Sequence, residues 1–426
     1  MISAVIERCA GIDVGKKELS VCVMTGPANG EARYEIRTFG TTVEQLKEMR
    51  AWLEAEQCTH AVMESTGSYW KPVFNVLEDA LKVQLANPHE VKARKGHKTD
   101  HRDAWWLAHL LRHAMITPSF IPPRIQRDLR DLTRRRKRLI QTATGEKNRV
   151  DKILQDANVK LSNVLSDLFG VSGQRMLEGL LKGPVEPSAL ASLAHGTMKK
   201  KVPDIIAALA ENQMREHHRQ MLRFSLEHLQ FLEEQLVAID DAIAALIQQA
   251  GYSQQWDLLQ SIPGVQAPTA AVLLAEVGPN VNAFANEKKL SSWAGVCPGN
   301  NRSAGINKSS ATTQGSPWLK AALTESAWAI SHTKQGHLRD KYWRLATKNR
   351  SKAIVAVAHD ILRLVYAVLQ RGTPYEERKG QPMSEAQRQR LIQHHVRRLG
   401  KLGIRVRAGF ATKCDPKGEK QTKRQK

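Results

Sequence analysis

The chain lacks most of the features that define secreted, zinc-binding and nucleotide-binding proteins. Its cysteines are five, Cys9, Cys22, Cys58, Cys297 and Cys414, scattered and without Cys-x-x-Cys spacing. That excludes a disulfide framework and a cysteine zinc site, and reads as reduced cytosolic thiols. No apolar run of 18 residues, no signal-peptide core and no lipidation motif is found, so no membrane partner and a cytoplasmic place are expected. There is no Walker A sequence, and Asp13 is the one aspartate followed by x-Gly. P-loop enzymes are thereby excluded, as are actin-like sugar kinases, which need a second such loop. Acidic residues are also in deficit, 42 against 64 lysines and arginines, for a net charge of +22. A surplus of that size implies a polyanionic partner, and with the membrane set aside that partner is nucleic acid.

With 426 residues there is room for two or three domains. Cys9–Asp13 and Leu19–Met24 are apolar and β-rich, and Gly15-Lys16-Lys17 between them predicts a hairpin. Strands are expected at Tyr34–Phe39, His60–Met63 and Lys82–Ala86, and helices at Val43–Glu56 and Tyr69–Asp79. Three early strands followed by alternation predict a mixed sheet with helices on its faces, over residues 1–118. Thr99 is placed to cap the helix that carries "DHRDAWWLAHLLRHA".

Residues 119–253 are expected to form a helical arm. Ile125, Leu129, Leu132, Arg136, Leu139, Ala143, Glu146, Val150 and Ile153 step by 4 and 3, a heptad seam interrupted at Arg136 and Glu146. A second seam runs through Leu229, Leu232, Leu236, Ile239, Ile243 and Leu246. The first is expected to pair between subunits, giving a dimer or tetramer. The Gly-, Pro- and Ser-rich stretch 170–203 between the seams yields no assignment. A helical domain is expected over 254–375 and a basic arm over 376–426, where 15 lysines and arginines face 5 carboxylates. Arg134, Arg135, Arg136, Lys137 and Arg138, one run on the first seam helix, are expected to contact DNA or RNA phosphates.

Four carboxylates stand where a mixed sheet builds sites. Asp13 and Glu64 close two strands, and Asp100 and Asp103 share one helix face. Singly each has a plain structural role, as a turn residue or a helix-dipole partner. Together they would repel unless a hard cation held them, and oxygen ligands suit Mg²⁺ or Mn²⁺.

The stretches "GIDVGK", "MESTGSYW" and "HKTDHRDAWWLA" resemble the Asp-Glu-Asp-Asp set of DEDD-type insertion-sequence transposases, relatives of the pilin-gene DNA invertase. "LLQSIPGVQAPTAAVLLAEVG", "LSSWAGVCPGNNRSAG", "ATTQGSPWLKAALTESAWA" and "KAIVAVAHDILRLVYAVLQRGTPY" resemble that family's second domain in the same order. The resemblance implies a RuvC-like, RNase H-type domain whose metal ligands are Asp13, Glu64, Asp100 and Asp103. It also implies a bacterial, nucleoid-associated recombinase that moves its own element, guided by a structured noncoding RNA. Finally, it implies a composite site in which a serine from another subunit's second domain joins the carboxylates.

That serine is sought in "CPGNNRSAGINKSSATTQGS", a polar stretch expected to be a long loop. The resemblance points to Ser303, five residues after Pro298, with Arg302 and Lys308 as phosphate contacts. Relatives usually carry paired serines, and here Arg302 stands in place of the first, so Ser309 and Ser310 remain candidates. "SIPGV" (Ser261–Val265) reads as a helix-hairpin-helix turn in which Gly264 could open backbone N–H groups to a phosphate, or as a tight turn only. The rival functions are a RuvC-like nuclease that uses no serine, a DNA invertase without an RNA guide, and a non-catalytic nucleic-acid scaffold.

Overall fold

A computed structural model describes residues 5–65, 67–87, 91, 99–298, 301–303, 306–309 and 311–377, with 389, 392, 393, 396 and 397; residues 301–303 and 306–309 are described in their backbone. The basic arm expected from 376 therefore lies almost wholly outside the described residues. The chain forms two compact units. One comprises Met1–Ser253 with Ala271–Asn286, the other Gln254–Ala270 with Glu287–Lys426. The expected arm thus belongs to the first unit rather than standing alone, and the boundary near 254 is crossed by a returning segment.

The first unit opens with β1 (Arg8–Val14), β2 (Glu18–Thr25) and β3 (Arg33–Gly40), an antiparallel meander. After α1 (Val43–Ala55), β4 (His60–Glu64) lies parallel to β1; after α2 (Trp70–Leu77), β5 (Lys82–Ala86) lies parallel to β4. The order is β3-β2-β1-β4-β5, the mixed sheet that the alternation predicted. Strand periodicity sorts the side chains into two cores. Ala10, Ile12, Leu19, Val21, Ala61 and Met63 pack under α1 and α2 with Leu46, Met49, Leu53 and Leu77. Cys9, Cys22, Met24 and Val62 pack under α3 (Asp100–Arg112) with Ala104, Leu107, Ala108 and Leu111. Burial pushes the Cys9 thiol up to about 11 and those of Cys22 and Cys58 up to about 12, so these thiols are unreactive core residues.

Thr99 caps α3, its hydroxyl accepting from the Arg102 N–H at 3.4 Å. At the other end Arg112 is 2 % exposed. Its guanidinium donates to the carbonyls of Ile6 (3.2 Å), Glu7 (3.0 Å), Gly26 (3.1 Å) and Pro27 (2.8 Å). Four fixed acceptors compensate the desolvation of one permanent charge and tie the end of α3 to two separate segments.

Beyond the sheet come α4 (Arg124–Asp156), α5 (Leu161–Val164), α6 (Val171–Leu181), α7 (Pro187–Ser192), a 3-10 turn over Gly196–Lys201, α8 (Val202–Leu209) and α9 (Glu216–Gln249). The stretch 170–203 is thus mostly short helices. Two of its three prolines occupy helix starts, Pro187 in α7 and Pro203 in α8, where a missing N–H costs nothing, and Pro184 lies between α6 and α7.

Helices α4 and α9 pack on each other, antiparallel. Asp156 meets His218 at 2.9 Å, Glu146 meets His228 at 3.4 Å, and Arg136 meets Asp240 at 3.0 Å, each pair one step further back along both helices. The two polar breaks of the sequence seam therefore make cross-helix polar contacts, Arg136 an ion pair with Asp240 and Glu146 a contact with His228, that fix the register. Burial opposes ionisation of Glu146, but the Ser225 hydroxyl, Arg149 and His228 outweigh it and hold its pKa below the usual range.

The seam itself is corrected. Leu129, Leu139, Ala143, Glu146 and Val150 are buried as expected, but Ile125 is exposed, and Gln126, Thr133 and Leu154 take the places expected for Ile125, Leu132 and Ile153. The middle of the seam packs against α9 of the same unit.

The second unit contains α10 (Ser253–Gln260) and the start of α11 (Ala267–Val277), then α12 (Glu287–Trp293), a hairpin of β6 (Asn301–Ser303) and β7 (Ile306–Ser309), α13 (Pro317–Ser331), α14 (His337–Ala346) and α15 (Arg350–Arg371). Helix α15 is long and apolar enough to cross a membrane by length and composition, contrary to the expected absence of such a run. Half of its apolar window is buried inside the unit, where Ala353, Val357, Ile361, Leu362 and Val365 are core residues, the pattern of a central packing helix.

Candidate active site

Asp13 and Glu64 sit side by side because of strand register. Gly11 pairs with Val62 and Ile12 with Met63 in the parallel ladder, so the next step places Asp13 beside Glu64. Both follow the alternation of the α3-covered face, to which Cys9 and Val62 belong.

Gly11 then sets the height of the helix. A Cβ there would lie 2.2 Å from the Ala104 carbonyl oxygen and 2.3 Å from the Ala108 nitrogen. With no side chain at Gly11, α3 rests directly on β1, and its first turn, with Asp100 and Asp103, arrives over the end carrying Asp13. The cleft that results has a volume of about 390 Å³ and is lined by Asp13, Glu18, Ser20, Thr38, Thr99, Asp100 and His101. His101 Nε2 lies 3.3 Å from the Thr38 hydroxyl.

The four predicted carboxylates are thus brought to one end of one face, but only Asp13 and Asp100 line the cleft. Among the described residues no three acidic, histidine or cysteine side chains are gathered to hold a metal ion. The expected four-ligand set is an arrangement of neighbouring elements here, with Asp13 and Asp100 sharing the cleft. The donors are all hard oxygens, and adjacent strand ends supply two of them, so the residue set fits Mg²⁺ or Mn²⁺. Four cleft residues escaped the sequence reading. His101 had a signal, standing between Asp100 and Asp103; Glu18, Ser20 and Thr38 come from β2 and β3 and had none.

Of the expected basic run, Arg134 and Arg136 form ion pairs inside the first unit. Arg134 makes a double contact with the Glu276 carboxylate at 2.9 and 3.1 Å, and Glu276 is 2 % exposed. Arg130 caps the same segment through the Ala275 and Glu276 carbonyls, both at 2.8 Å. Arg136 pairs with Asp240, while Arg135 and Arg138 are exposed and Lys137 is half-buried. The run therefore does not present one continuous phosphate-binding face. Arg134→Ala is expected to lower the unfolding free energy by about 1–3 kcal/mol while leaving the slope of log K against log salt for DNA unchanged, as a buried ion pair predicts and a phosphate contact does not. Denaturant titration and salt-dependent binding check the two halves.

In the second unit, Ser303 ends β6 and pairs with Ile306, and Arg302 pairs with Asn307. The expected irregular loop is instead a hairpin, prolonged by a bridge between Pro298 and Thr312. Lys308 and Ser309 are on β7; Ser310 lies outside the described residues. Gly264 has φ +77°, and a Cβ there would lie 2.7 Å from Ile330 Cγ1 and 2.8 Å from the Ser326 carbonyl. Close approach to α13 thus explains this glycine. The Ile262 and Val265 N–H groups already donate to Leu259 (3.1 Å) and Ile262 (3.0 Å), which removes them from the expected phosphate cradle.

Sequence comparison links the chain that carries this cleft to transposases. Residues 10–159 match the profile of the DEDD transposases of the IS110 type, and residues 256–343 match that of the transposase IS116/IS110/IS902 family. Two stretches of the chain are therefore similar, in this order, to regions of transposase families. A curated relative, the insertion element IS110 uncharacterized 43.6 kDa protein of Streptomyces coelicolor, is 33 % identical over 151 residues. The alignment covers 34 % of this chain and 36 % of that protein, so the chain spans about a third of the relative's length. Two solved structures of Thermus thermophilus RuvC, one in complex with a Holliday junction substrate, align over 26 % of this chain and 99 % of theirs. Their identities are 16 % and 15 % and their TM-scores 0.21 and 0.22, too slight a likeness to settle fold or function.

Proposed function

We propose that the protein is a bacterial, nucleoid-associated DNA transposase that excises and inserts its insertion element by serine-dependent phosphoryl transfer. The observation that carries this reading is the placement of Asp13 and Glu64 near the ends of two parallel strands, each one residue past the Ile12–Met63 pair, with Asp13 and Asp100 lining one cleft, in a chain whose residues 10–159 and 256–343 match transposase families. Asp13, Glu64, Asp100 and Asp103 would hold Mg²⁺ or Mn²⁺, whose charge, when bound, stabilises phosphate oxygens during displacement.

The chain's own nucleophile is Ser303. Its hydroxyl oxygen forms a bond to the DNA phosphorus, the bond to the leaving strand's oxygen breaks, and that oxygen departs as a hydroxyl carrying the serine proton. An incoming strand's hydroxyl then attacks the phosphoserine, breaks the ester and returns a proton to Ser303. The bond energy is conserved throughout, so strands rejoin without an external energy source. Support comes from the hairpin, which holds Arg302 and Ser303 at fixed positions in a ladder where an irregular loop was expected. Arg302 and Lys308 supply phosphate contacts. The carboxylates and the serine belong to different subunits of a dimer or tetramer, and a structured noncoding RNA selects the DNA.

Ser303→Ala is expected to bind DNA and RNA as the parent does, yet to yield no exchanged strands and no protein–DNA adduct. Trapping with a nicked substrate and mapping the adduct by mass spectrometry checks this. An adduct at Ser309 or Ser310 would move the nucleophile. Strand cleavage by Ser303→Ala with no adduct anywhere would instead support a RuvC-like nuclease.

A further inference from the structure

Two tryptophans of the second unit are left in solvent on neighbouring helices. Trp328 on α13 and Trp343 on α14 are each 47 % exposed. Both flank the buried ring of Tyr342, whose centroid is 6.2 Å from that of Trp328 and 5.2 Å from that of Trp343. They are held in place. The Trp343 indole N–H donates to the Ser331 carbonyl at 3.2 Å, and His332, itself exposed, lies against Trp328 with ring centroids 6.4 Å apart. Large apolar surface kept rigid and uncovered is costly for a folded chain and marks an interaction site.

The surroundings select the partner. The segment from Trp343 onward runs Trp-Arg-Leu-Ala-Thr-Lys-Asn-Arg-Ser-Lys, and its Arg344, Lys348, Arg350 and Lys352 are all exposed; they outnumber the two exposed carboxylates, Glu325 and Asp340, that stand one turn before Trp328 and Trp343. Aromatic faces interleaved with cations are what unpaired nucleotides require. Bases stack on the rings, and the backbone phosphates lie along the positive rim. An apolar protein partner would not need four cations there, and duplex DNA keeps its bases stacked among themselves, out of reach of a flat ring.

We infer that Trp328 and Trp343 form a stacking platform for single-stranded DNA, such as the unpaired strand that appears when a duplex is opened for strand exchange. The platform lies in the second unit and is independent of the carboxylate chemistry, so its test needs no cleavage and survives if the proposed transposition does not.

The test measures binding by the full-length protein of fluorescently labelled oligo(dT), oligo(U) and duplex DNA of equal length, by anisotropy over a salt series. Trp328→Ala and Trp343→Ala are expected to weaken oligo(dT) binding by about tenfold each, and duplex binding is expected to be unchanged. The salt slope should stay at the parental value, since stacking releases no counterions. Lys348→Ala should instead reduce that slope by about 0.7. Trp→Phe at both positions should restore most of the affinity, which a purely structural role for the indoles would not allow. Parental oligo(dT) affinity in the double alanine variant would overturn the inference. Three other results would overturn it as well: a loss confined to oligo(U), which assigns the platform to RNA; an equal loss on duplex DNA; and a change in sedimentation coefficient without nucleic acid, which assigns the surface to a second copy of the chain.

Discussion

Asp13→Asn is expected to abolish strand exchange, by about a thousandfold or more, in a protein that melts at the parental temperature. The substitution keeps the shape of the side chain and removes its charge. Asp13 lies one residue past the Ile12–Met63 pair, on the strand next to that of Glu64, and shares the cleft with Asp100. Lewis-acid stabilisation of a phosphoryl transition state is worth several kcal/mol, and each 1.4 kcal/mol is a factor of ten in rate. Folding should not suffer, because removing one of several like charges at a strand end relieves repulsion. Calorimetry with Mn²⁺ provides a readout apart from turnover. The parent should show saturable binding, Asp13→Asn should show none, and Glu64→Gln should show a weakened isotherm. Parental activity in both variants would remove the carboxylates from the mechanism.

Gly11→Val is expected to leave the sheet domain unfolded. A Cβ alone would meet the Ala104 oxygen at 2.2 Å and the Ala108 nitrogen at 2.3 Å, and both are backbone atoms that cannot rotate away. Relief requires lifting α3 off β1, which uncovers Cys9, Cys22, Val62, Ala104 and Ala108, all fully buried. Overpacking usually costs about 1–3 kcal/mol. Losing the cover of one whole sheet face adds to that and exhausts the margin of about 5–15 kcal/mol that a domain holds. Gly11→Ala is the informative intermediate: folded at low temperature, with an early unfolding transition and weakened Mn²⁺ binding because Asp100 is carried away from Asp13. Circular dichroism melting of both variants checks the expectation. A Gly11→Ala protein with parental stability would mean that α3 is not seated on β1 as the structure has it.

The sheet was legible in the sequence because its strands are short apolar runs cut by glycine and polar turns, and its two cores follow strand alternation. The end of α3 was legible from Thr99. The arm was half legible. A strict seven-residue repeat drifts against a helix of 3.6 residues per turn, and α4 changes neighbours along its length. In its middle it meets α9, and there the seam holds. Near its start Gln126 donates to the Ala275 carbonyl at 3.0 Å, so a polar residue is buried where Ile125 was expected. The hairpin at 301–309 was invisible because its strands are three and four residues long and, apart from Ile306, built of Asn, Arg, Ser and Lys, which have weak strand preference. In the cleft, the acidic residues could be found by type and position. Glu18 and Thr38 could not, because only the pairing of β1 with β2 and β2 with β3 brings them there.

The seating of α3 makes it a short lever. Its far end is nailed by Arg112 to two chain segments, and its fulcrum is the bare backbone of Gly11 under Ala104. Four residues separate that fulcrum from Asp100, about 6 Å of helix at 1.5 Å per residue. A tilt of about 10° there would move Asp100 by only about 1 Å. Such travel suits taking up slack around a small ion and is far too little to open or shut an entrance. Gathering the carboxylates is thus left to rotation of their own side chains, and access to the cleft is governed by what approaches it, not by any swing of the helix that roofs it.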